Sequence, residues 1–134
     1  MNAQAPHFPV SVKGVVVRAG KVILVKNERD EWELPGGRLE ADETPEHCVA
    51  REIAEELGLV VSVGPLLDCW LYEPLPARRV LIVAYGCPLI GDAVPRLSDE
   101  HQALGWFDAR ALDGLALPAG NRRAITRWLA EAPS

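Results

Sequence analysis

Cysteine is scarce in this sequence: the 134 residues contain three, and no two of them have the spacing of a CxxC motif. An odd number without paired spacing argues against a disulfide framework and against a zinc site. We therefore expect Cys48, Cys69 and Cys87 to be buried side chains, which is the usual environment of free cysteine.

Long apolar runs are also missing. No stretch of the sequence approaches the ~20 apolar residues that span a membrane. The segment from Met1 to Pro9 has neither the charged start nor the apolar core of a signal peptide. These absences predict a cytoplasmic protein with no membrane partner.

A surplus of positive charge is the third missing feature. The 14 lysines and arginines are outnumbered by 19 aspartates and glutamates, which gives a net charge of −5. Proteins that bind nucleic acid usually carry a basic surface, so we expect no nucleic-acid partner. An anionic small molecule is still compatible with this charge, because a bound divalent ion can reverse the field around it.

Three glutamates stand out in what the sequence does contain. Glu52, Glu55 and Glu56 have the spacing that places side chains on one face of a helix. Carboxylates that converge repel one another unless a cation lies among them. Oxygen ligands favour a hard ion, Mg²⁺ first and then Mn²⁺ or Ca²⁺. Because Gly36 and Gly37 leave room for a ligand near the backbone, the combination predicts a phosphate-handling site.

The helix that carries these acids has clear end signals. Thr44 is suited to cap it, Pro45 fits its first position, and Gly58 fits the position just past its end. Its apolar face consists of three residues spaced four apart, which are Val49, Ile53 and Leu57. One side of the helix is therefore expected to face the core and another to face a metal.

The rest of the chain predicts strands, loops and a last helix. Two β-branched runs, Val10 to Arg18 and Lys21 to Lys26, flank Ala19-Gly20 and predict a hairpin. Strands are also predicted for Leu59 to Tyr72, Val80 to Cys87 and Trp106-Phe107, loops for Glu73 to Arg79 and Leu89 to Glu100, and a helix for Pro118 to Glu131. Mixed strands with one helix in mid-chain and one at the end predict an α/β sandwich.

The residues from Gly37 to Leu59 resemble the Nudix box, the signature of the Nudix hydrolase family. Nine defining positions are filled, by Gly37, Glu43, Arg51, Glu52, Ile53, Glu55, Glu56, Gly58 and Leu59. The lead-in from Trp32 to Gly37 and the acid-then-aromatic segment from Glu100 to Phe107 also resemble the family. The resemblance implies an α/β fold, a Nudix-type α/β/α sandwich with a mixed central β-sheet, as a single domain over residues 1–134. It also implies a Mg²⁺-dependent hydrolase, with Mn²⁺ as a substitute, that cleaves a nucleoside diphosphate linked to another group X and releases a nucleoside monophosphate.

By the same resemblance, Glu52, Glu55 and Glu56 bind the metal, and the Gly36 carbonyl adds a ligand. A carboxylate must then accept the proton of the attacking water. Glu100 and Glu55 are the two candidates for this general base. For Glu100, the alternatives are an additional metal ligand and a solvated acid in a loop.

Glu43 and Arg51 are expected to support the metal site without binding the metal. The planar fork of an arginine suits bidentate pairing with a carboxylate. Such pairing fixes the orientation of neighbouring ligands, as is usual around metal sites. Direct ligation by Glu43 is the alternative.

The substrate is expected to contact Gly37 and residues outside the box. Trp70 and Tyr72 can stack on a base, and Arg78 and Arg79 can pair with a phosphate. Core packing of Trp70 and simple solvent exposure of the arginines are the alternatives.

The identity of X is left open between two substrate classes. Pro74, fifteen residues after Leu59, resembles the ADP-ribose branch of the family, whereas the small size resembles members that hydrolyse nucleoside triphosphates. A non-catalytic nucleotide-binding module with the same fold would predict lost box glutamates, and none is lost. A structural Ca²⁺-binding domain would need an EF-hand loop, which is absent. A nucleotide-type small molecule is the expected partner, and a homodimer is left open.

Overall fold

The computed structural model describes residues 5–131, and a mixed β-sheet lies at the centre of the molecule. Strand β1 (Val10–Val15) runs parallel to β8 (Arg78–Gly86) and antiparallel to β5 (Gly36–Arg38). Strand β7 (Leu66–Leu75) pairs antiparallel with β8 and forms one edge of the sheet. The start of the segment on which the signal-peptide expectation rests, residues 1–4, lies outside the described residues.

A second sheet is built around one strand that has three antiparallel partners. Its members are β2 (Val17–Arg18), β3 (Lys21–Lys26), β4 (Trp32–Glu33) and β10 (Ala103–Phe107), and β3 pairs with each of the other three. A short antiparallel pair, β6 (Val60–Val61) and β9 (Leu89–Ile90), forms a third sheet. The two-residue strand β9 lies inside a segment that the sequence predicted to be a loop.

The predicted hairpin is confirmed between β2 and β3. Its turn residues Ala19 and Gly20 have φ angles of 53° and 75°, which suit the two-residue turns that match strand twist. The run from Val10 to Arg18 is not one strand, however. It leaves the central sheet after Val15 and enters the second sheet as β2.

Helix α1 (Pro45–Leu57) begins and ends at the predicted residues. The Thr44 hydroxyl accepts a hydrogen bond from the His47 N–H at 3.1 Å, which satisfies one of the free amides of the first turn. Gly58 adopts a left-handed φ of 68° and donates its N–H to the Ala54 carbonyl at 3.0 Å. Because both ends are fixed, the position of each glutamate around the helix axis is fixed as well.

Two hydrophobic clusters lie on opposite faces of the central sheet. Alternation along β1 divides the clusters, since Val12 packs with α1 and Val15 packs with α2 (Ala119–Glu131). The helices contribute Val49, Ile53 and Leu57 to one cluster and Ala124, Ile125 and Trp128 to the other. This arrangement confirms the α/β/α sandwich with a mixed central sheet.

The predicted strand from Leu59 to Tyr72 is divided. Gly64-Pro65 separates β6 from β7, and the Gly64 N–H donates to the Gly86 carbonyl at 2.7 Å. The proline cannot donate a ladder hydrogen bond, so it marks the boundary between the two strands.

The predicted loop from Glu73 to Arg79 is mostly strand. β7 extends to Leu75 and β8 begins at Arg78, so the connection is only Pro76-Ala77. Pro74 suggested a loop, but β7 is an edge strand, where a missing N–H leaves no partner unpaired.

The cysteine expectation holds for two residues of three. Cys48 and Cys87 are buried, whereas Cys69 is exposed. Side chains alternate between the faces of a strand, and Cys69 lies on the face of β7 opposite Trp70, where α2 does not cover it. The prediction was wrong for Cys69 because a preference for burial does not specify which face of an edge strand is covered. Among residues 5–131, no helix has the length and apolar character needed to cross a membrane.

The packing of α2 against β7 gives a stability prediction. A Cβ added to Gly120 would lie 2.1 Å from the Trp70 ring. Alanine favours a helix over glycine by ~1 kcal/mol, but overpacking against a rigid indole costs ~1–3 kcal/mol. We expect Gly120→Ala to shift the urea unfolding midpoint down. Gly114→Ala is the control, because nothing lies within 4 Å of its added Cβ. Equal midpoints for the two variants would contradict the described contact.

Candidate active site

An open cleft of about 310 Å³ lies between the acidic side of α1 and the segment before β10. The helix contributes three carboxylates and the segment contributes two, together with one hydroxyl. The lining residues are Glu52, Glu55, Glu56, Ser98, Asp99 and Glu100. Glu100 therefore lies at the same cleft as the helix glutamates, although 44 residues separate it from Glu56 in the sequence.

Arg51 links four acids beside this cleft. Its Nε donates to Glu43 Oε2 at 2.6 Å and its Nη2 donates to Glu43 Oε1 at 3.0 Å, which is a bidentate pair. Its Nη1 donates to Glu52 at 2.9 Å and to Glu55 at 3.2 Å, and Glu40 lies 3.7 Å from Nη2. The hydrogen bonds from Arg51 hold the pKa of the Glu43 carboxyl well below its usual range. The guanidinium thus orders the acidic surface of the helix.

Glu56 is the buried acid of the group, with 6% of its surface exposed. Its Oε1 accepts a hydrogen bond from the Gly36 N–H at 3.2 Å. Burial raises the pKa of Glu56 to about 7, against the opposing influence of Lys13 and His101. Within residues 5–131, Glu56 forms no ion pair. A buried carboxylate without an ion-pair partner is costly, and a bound cation would stabilise its charged form.

The donors around the cleft fit a hard divalent cation, since they are carboxylate and hydroxyl oxygens with no sulfur among them. Nevertheless, in the described part of the chain, no three Asp, Glu, His or Cys side chains converge closely enough to hold a metal ion. The expected convergence of the three glutamates is therefore not found. Arg51 holds Glu52 and Glu55, while Glu56 is turned toward the Gly36 amide.

Gly36 and Gly37 bring a backbone strand against these acids. Gly36 has a φ of 149°, and a Cβ there would lie 2.0 Å from the Val12 carbonyl oxygen, so only glycine fits this position. A Cβ on Gly37 would lie 2.3 Å from the carboxylate of Glu52. The missing Cβ at Gly36 lets β5 lie close to β1, and the missing Cβ at Gly37 lets β5 lie directly beside the acidic face of α1.

A polar network that the sequence did not predict adjoins the cleft. Glu33 lies 3.7 Å from His101 Nε2 and 3.9 Å from Lys13 Nζ, and it accepts a hydrogen bond from Asn27 at 3.2 Å. Burial raises the pKa of Glu33, but the His101 and Lys13 interactions outweigh that effect and lower it to about 2. The hydrogen bond with Glu33 raises the pKa of His101. Glu33 lies in the segment from Trp32 to Gly37, which resembles the lead-in to the Nudix box. That position was the one feature of the sequence that could have indicated a role for Glu33.

Trp70 and Tyr72 lie on one face of β7 and line a narrow crevice. Lys13, Glu33 and Asn121 line it with them. The Tyr72 hydroxyl donates to Glu31 at 2.9 Å, and the Arg123 guanidinium lies 5.8 Å from the centre of the Trp70 ring. Asn121 is a buried polar residue in the first turn of α2, and asparagine is a poor helix former at such a position. A poor helix former inside a predicted helix was the feature of the sequence that could have indicated a role for Asn121.

Arg78 and Arg79 are not part of this crevice. They line a separate cavity of about 540 Å³ at the β7–β8 turn, together with Phe8 and Arg38. The Arg79 guanidinium lies 5.4 Å from the centre of the Phe8 ring and 3.9 Å from Glu73. The sequence-predicted substrate residues therefore form two groups. Arg38 follows the glycine pair directly and was not among the residues predicted from the sequence.

Most of the chain resembles known proteins of one family. A model of the NUDIX domain matches residues 7–129. A MutT-like protein of Streptomyces ambofaciens is 41% identical over 104 residues, which cover 76% of this chain and 65% of that protein. An ADP-ribose pyrophosphatase of Methanocaldococcus jannaschii is 31% identical over 115 residues, which cover 82% of this chain and 68% of that protein. The chain thus spans about two-thirds of the length of these relatives.

A solved structure supports the same relationship. The crystal structure of a MutT NUDIX hydrolase from Burkholderia pseudomallei superposes with a TM-score of 0.76 at 32% identity. The superposition covers 90% of this chain and 98% of that chain. The family predicted from the box and the sandwich architecture are both confirmed.

The contact between Gly37 and Glu52 gives a prediction for the cleft. Because a Cβ at position 37 would overlap the Glu52 carboxylate, we expect Gly37→Ala to displace it. Mn²⁺ affinity, measured by electron paramagnetic resonance titration, should fall about tenfold or more, as for other disturbed ligand supports. Gly114→Ala should bind Mn²⁺ like the parent protein. Unchanged affinity in Gly37→Ala would remove Glu52 from the set of metal ligands.

Proposed function

The chain belongs to the NUDIX family, and from this premise we propose that it is a divalent-metal-dependent hydrolase of nucleoside diphosphate derivatives. One observation carries the proposal: the box glutamates and Glu100 line a single cleft beside the Gly36-Gly37 strand. Residues 1–134 are proposed to act as one domain in the cytoplasm, with neither nucleic acid nor membrane as a partner.

In the proposed site, Glu52, Glu55 and Glu56 would hold Mg²⁺ or Mn²⁺, and the Gly36 carbonyl would add a ligand. Such an ion supplies charge neutralisation of phosphoryl oxygens and a lower pKa of coordinated water. Glu43 and Arg51 keep the helix carboxylates in place through the bidentate pair and the bonds to Glu52 and Glu55.

Glu100 is proposed as the general base, with Glu55 as the alternative. The Glu55 carboxylate is engaged by the Arg51 guanidinium at 3.2 Å. In contrast, Glu100 forms no ion pair with any residue from 5 to 131, and it is exposed at the cleft. A free carboxylate across the cleft from the proposed ligands is suited to accept the proton of the attacking water. Nucleophilic attack by that water releases the nucleoside monophosphate.

Two separate places are proposed to bind the rest of the substrate. Tyr72 is proposed to stack on a base, and Trp70, which packs against Gly120 of α2, is proposed to support it from the sheet. The cavity with Arg78, Arg79 and Arg38 offers guanidinium groups for an anionic part of X, and Gly37 lies one residue before Arg38. The relative named ADP-ribose pyrophosphatase supports ADP-ribose as one substrate class. Relatives named 8-oxo-dGTP diphosphatase and CTP pyrophosphohydrolase support nucleoside triphosphates as the other.

The hydrolase proposal is tested by removing the metal and by replacing Glu56. Excess chelator should abolish the release of nucleoside monophosphate, and added Mg²⁺ or Mn²⁺ should restore it. Glu56→Gln should lower kcat by at least about tenfold, which is ~1.4 kcal/mol of barrier. Because glutamine removes a buried charge, the metal-free variant should be no less stable in urea than the parent.

The controls for that experiment separate the alternatives. Asp113→Asn is the matched control, since it removes an exposed acid outside the cleft, and it should keep full activity. Full activity in chelator would refute the metal proposal. Nucleotide binding without hydrolysis in any metal would instead indicate a binding module with this fold.

The substrate proposal is tested with Arg78→Ala/Arg79→Ala. The four nucleoside triphosphates, the four deoxynucleoside triphosphates and ADP-ribose form the substrate panel. We expect the double variant to raise KM or change the order of preference while the Mg²⁺ dependence stays the same, because these arginines line a different cavity from the acidic cleft. Pyrophosphate as the second product would indicate a triphosphate, and ribose phosphate would indicate ADP-ribose. If the double variant has the same KM and order of preference as the parent for every substrate, the cavity lined by Arg78 and Arg79 does not bind X.

A further inference from the structure

Glu100 lies in a connection without regular secondary structure, residues 91–102, which we call the Glu100 segment. A backbone hydrogen bond fixes this segment on each side of Glu100. The Arg96 N–H donates to the Leu57 carbonyl at the end of α1 at 2.8 Å, and the Gln102 N–H donates to the Lys26 carbonyl of β3 at 2.9 Å. The first of these contacts joins the segment to the helix that carries the acidic cleft.

The Arg96 side chain reinforces this contact by lying on Gly58. A Cβ built at Gly58 would be 2.8 Å from Arg96 Nε and 2.9 Å from Nη2. The guanidinium can therefore approach the helix end so closely only because position 58 has no side chain. The left-handed φ of 68° that ends the helix requires the same residue.

The electrostatics of the helix end favour a cation at this place. The C-terminal end of a helix carries a partial negative charge, and the last turn of α1 contains no basic residue. Arg96 brings one from outside the helix. It forms no ion pair with an acid in the range 5–131, and its guanidinium lies at the helix end, beside Gly58.

We propose that Arg96 is a positioning residue that holds Glu100 across the cleft from the glutamates of α1. Glu100 lies four positions after Arg96, a span of at most ~14 Å in extended chain. Fixing Arg96 on the end of α1 therefore restricts Glu100 to the neighbourhood of the same helix. Both walls of the cleft then depend on α1, one through its own side chains and the other through this attachment. The inference rests on the proposed hydrolase function for its catalytic meaning.

The attachment itself is tested in the metal-free protein by amide hydrogen exchange. We expect Arg96→Ala to speed exchange in peptides that cover residues 92–102, and Arg96→Lys to restore most of the protection. Arg110→Ala, which removes an exposed arginine from another loop, should leave that exchange unchanged. Equal exchange in Arg96→Ala and the parent would overturn the inference, whatever the activity of the protein.

The catalytic consequence is tested by a double-mutant cycle with Glu100→Gln. Arg96→Ala should lower kcat about two- to fivefold, with KM little changed. This factor corresponds to the usual stabilisation by one cation at a helix C-terminus. In the Glu100→Gln background, Arg96→Ala should have no further effect, because it acts through Glu100. An equal loss in both backgrounds, or no loss from Glu100→Gln itself, would overturn the positioning role while leaving the hydrolase proposal intact. No hydrolysis by the parent would refute the proposed function, and hydrogen exchange would still decide the attachment.

Discussion

The pairing of Arg51 with Glu43 is the interaction on which the acidic surface of α1 depends. Three glutamates within five residues of helix repel one another, and a single guanidinium is bonded to two of them. That guanidinium cannot turn freely, because Glu43 holds it through two nitrogens from just before the helix cap. The third glutamate is held from the other side, by the amide of a strand that glycine allows to come close. Each of the three carboxylates therefore has a neighbouring donor that orients it.

Local signals in the sequence predicted the parts of the fold that depend on local physics. The cap at Thr44, the left-handed Gly58 and the left-handed Gly20 of the hairpin turn each rest on the conformational preference of one residue, and each was found. The errors fall where a neighbouring strand decides the outcome. Pro74 belongs to a strand because that strand lies at an edge, and nothing near it in the sequence reports its place in the sheet.

The candidate site divides in the same way. The box glutamates follow from helical spacing, whereas the buried environment of Glu56 comes from a strand 20 residues away. The contacts of Glu33 with Lys13 and His101 join residues from three strands or loops, and no period in the sequence indicates them. Trp70 and Arg78 lie near each other in the chain, yet they line different cavities. Arg78 lies at the turn between β7 and β8, whereas Trp70 lies further along β7, opposite Ile82. Pairing partners and cavity walls are properties of the assembled sheet.

The unequal burial of the three thiols makes the molecule suited to site-selective chemistry. Burial raises the pKa of Cys48 and that of Cys87 to about 12, so both are protonated and shielded at neutral pH, and thiolate is the reactive form. Cys69 is exposed and lies directly behind Trp70 on the same strand. A thiol-reactive fluorophore would attach there alone, without a single substitution in the chain. Its emission would then report what happens on the opposite side of one strand, in the crevice of Trp70 and Tyr72, while leaving that crevice untouched.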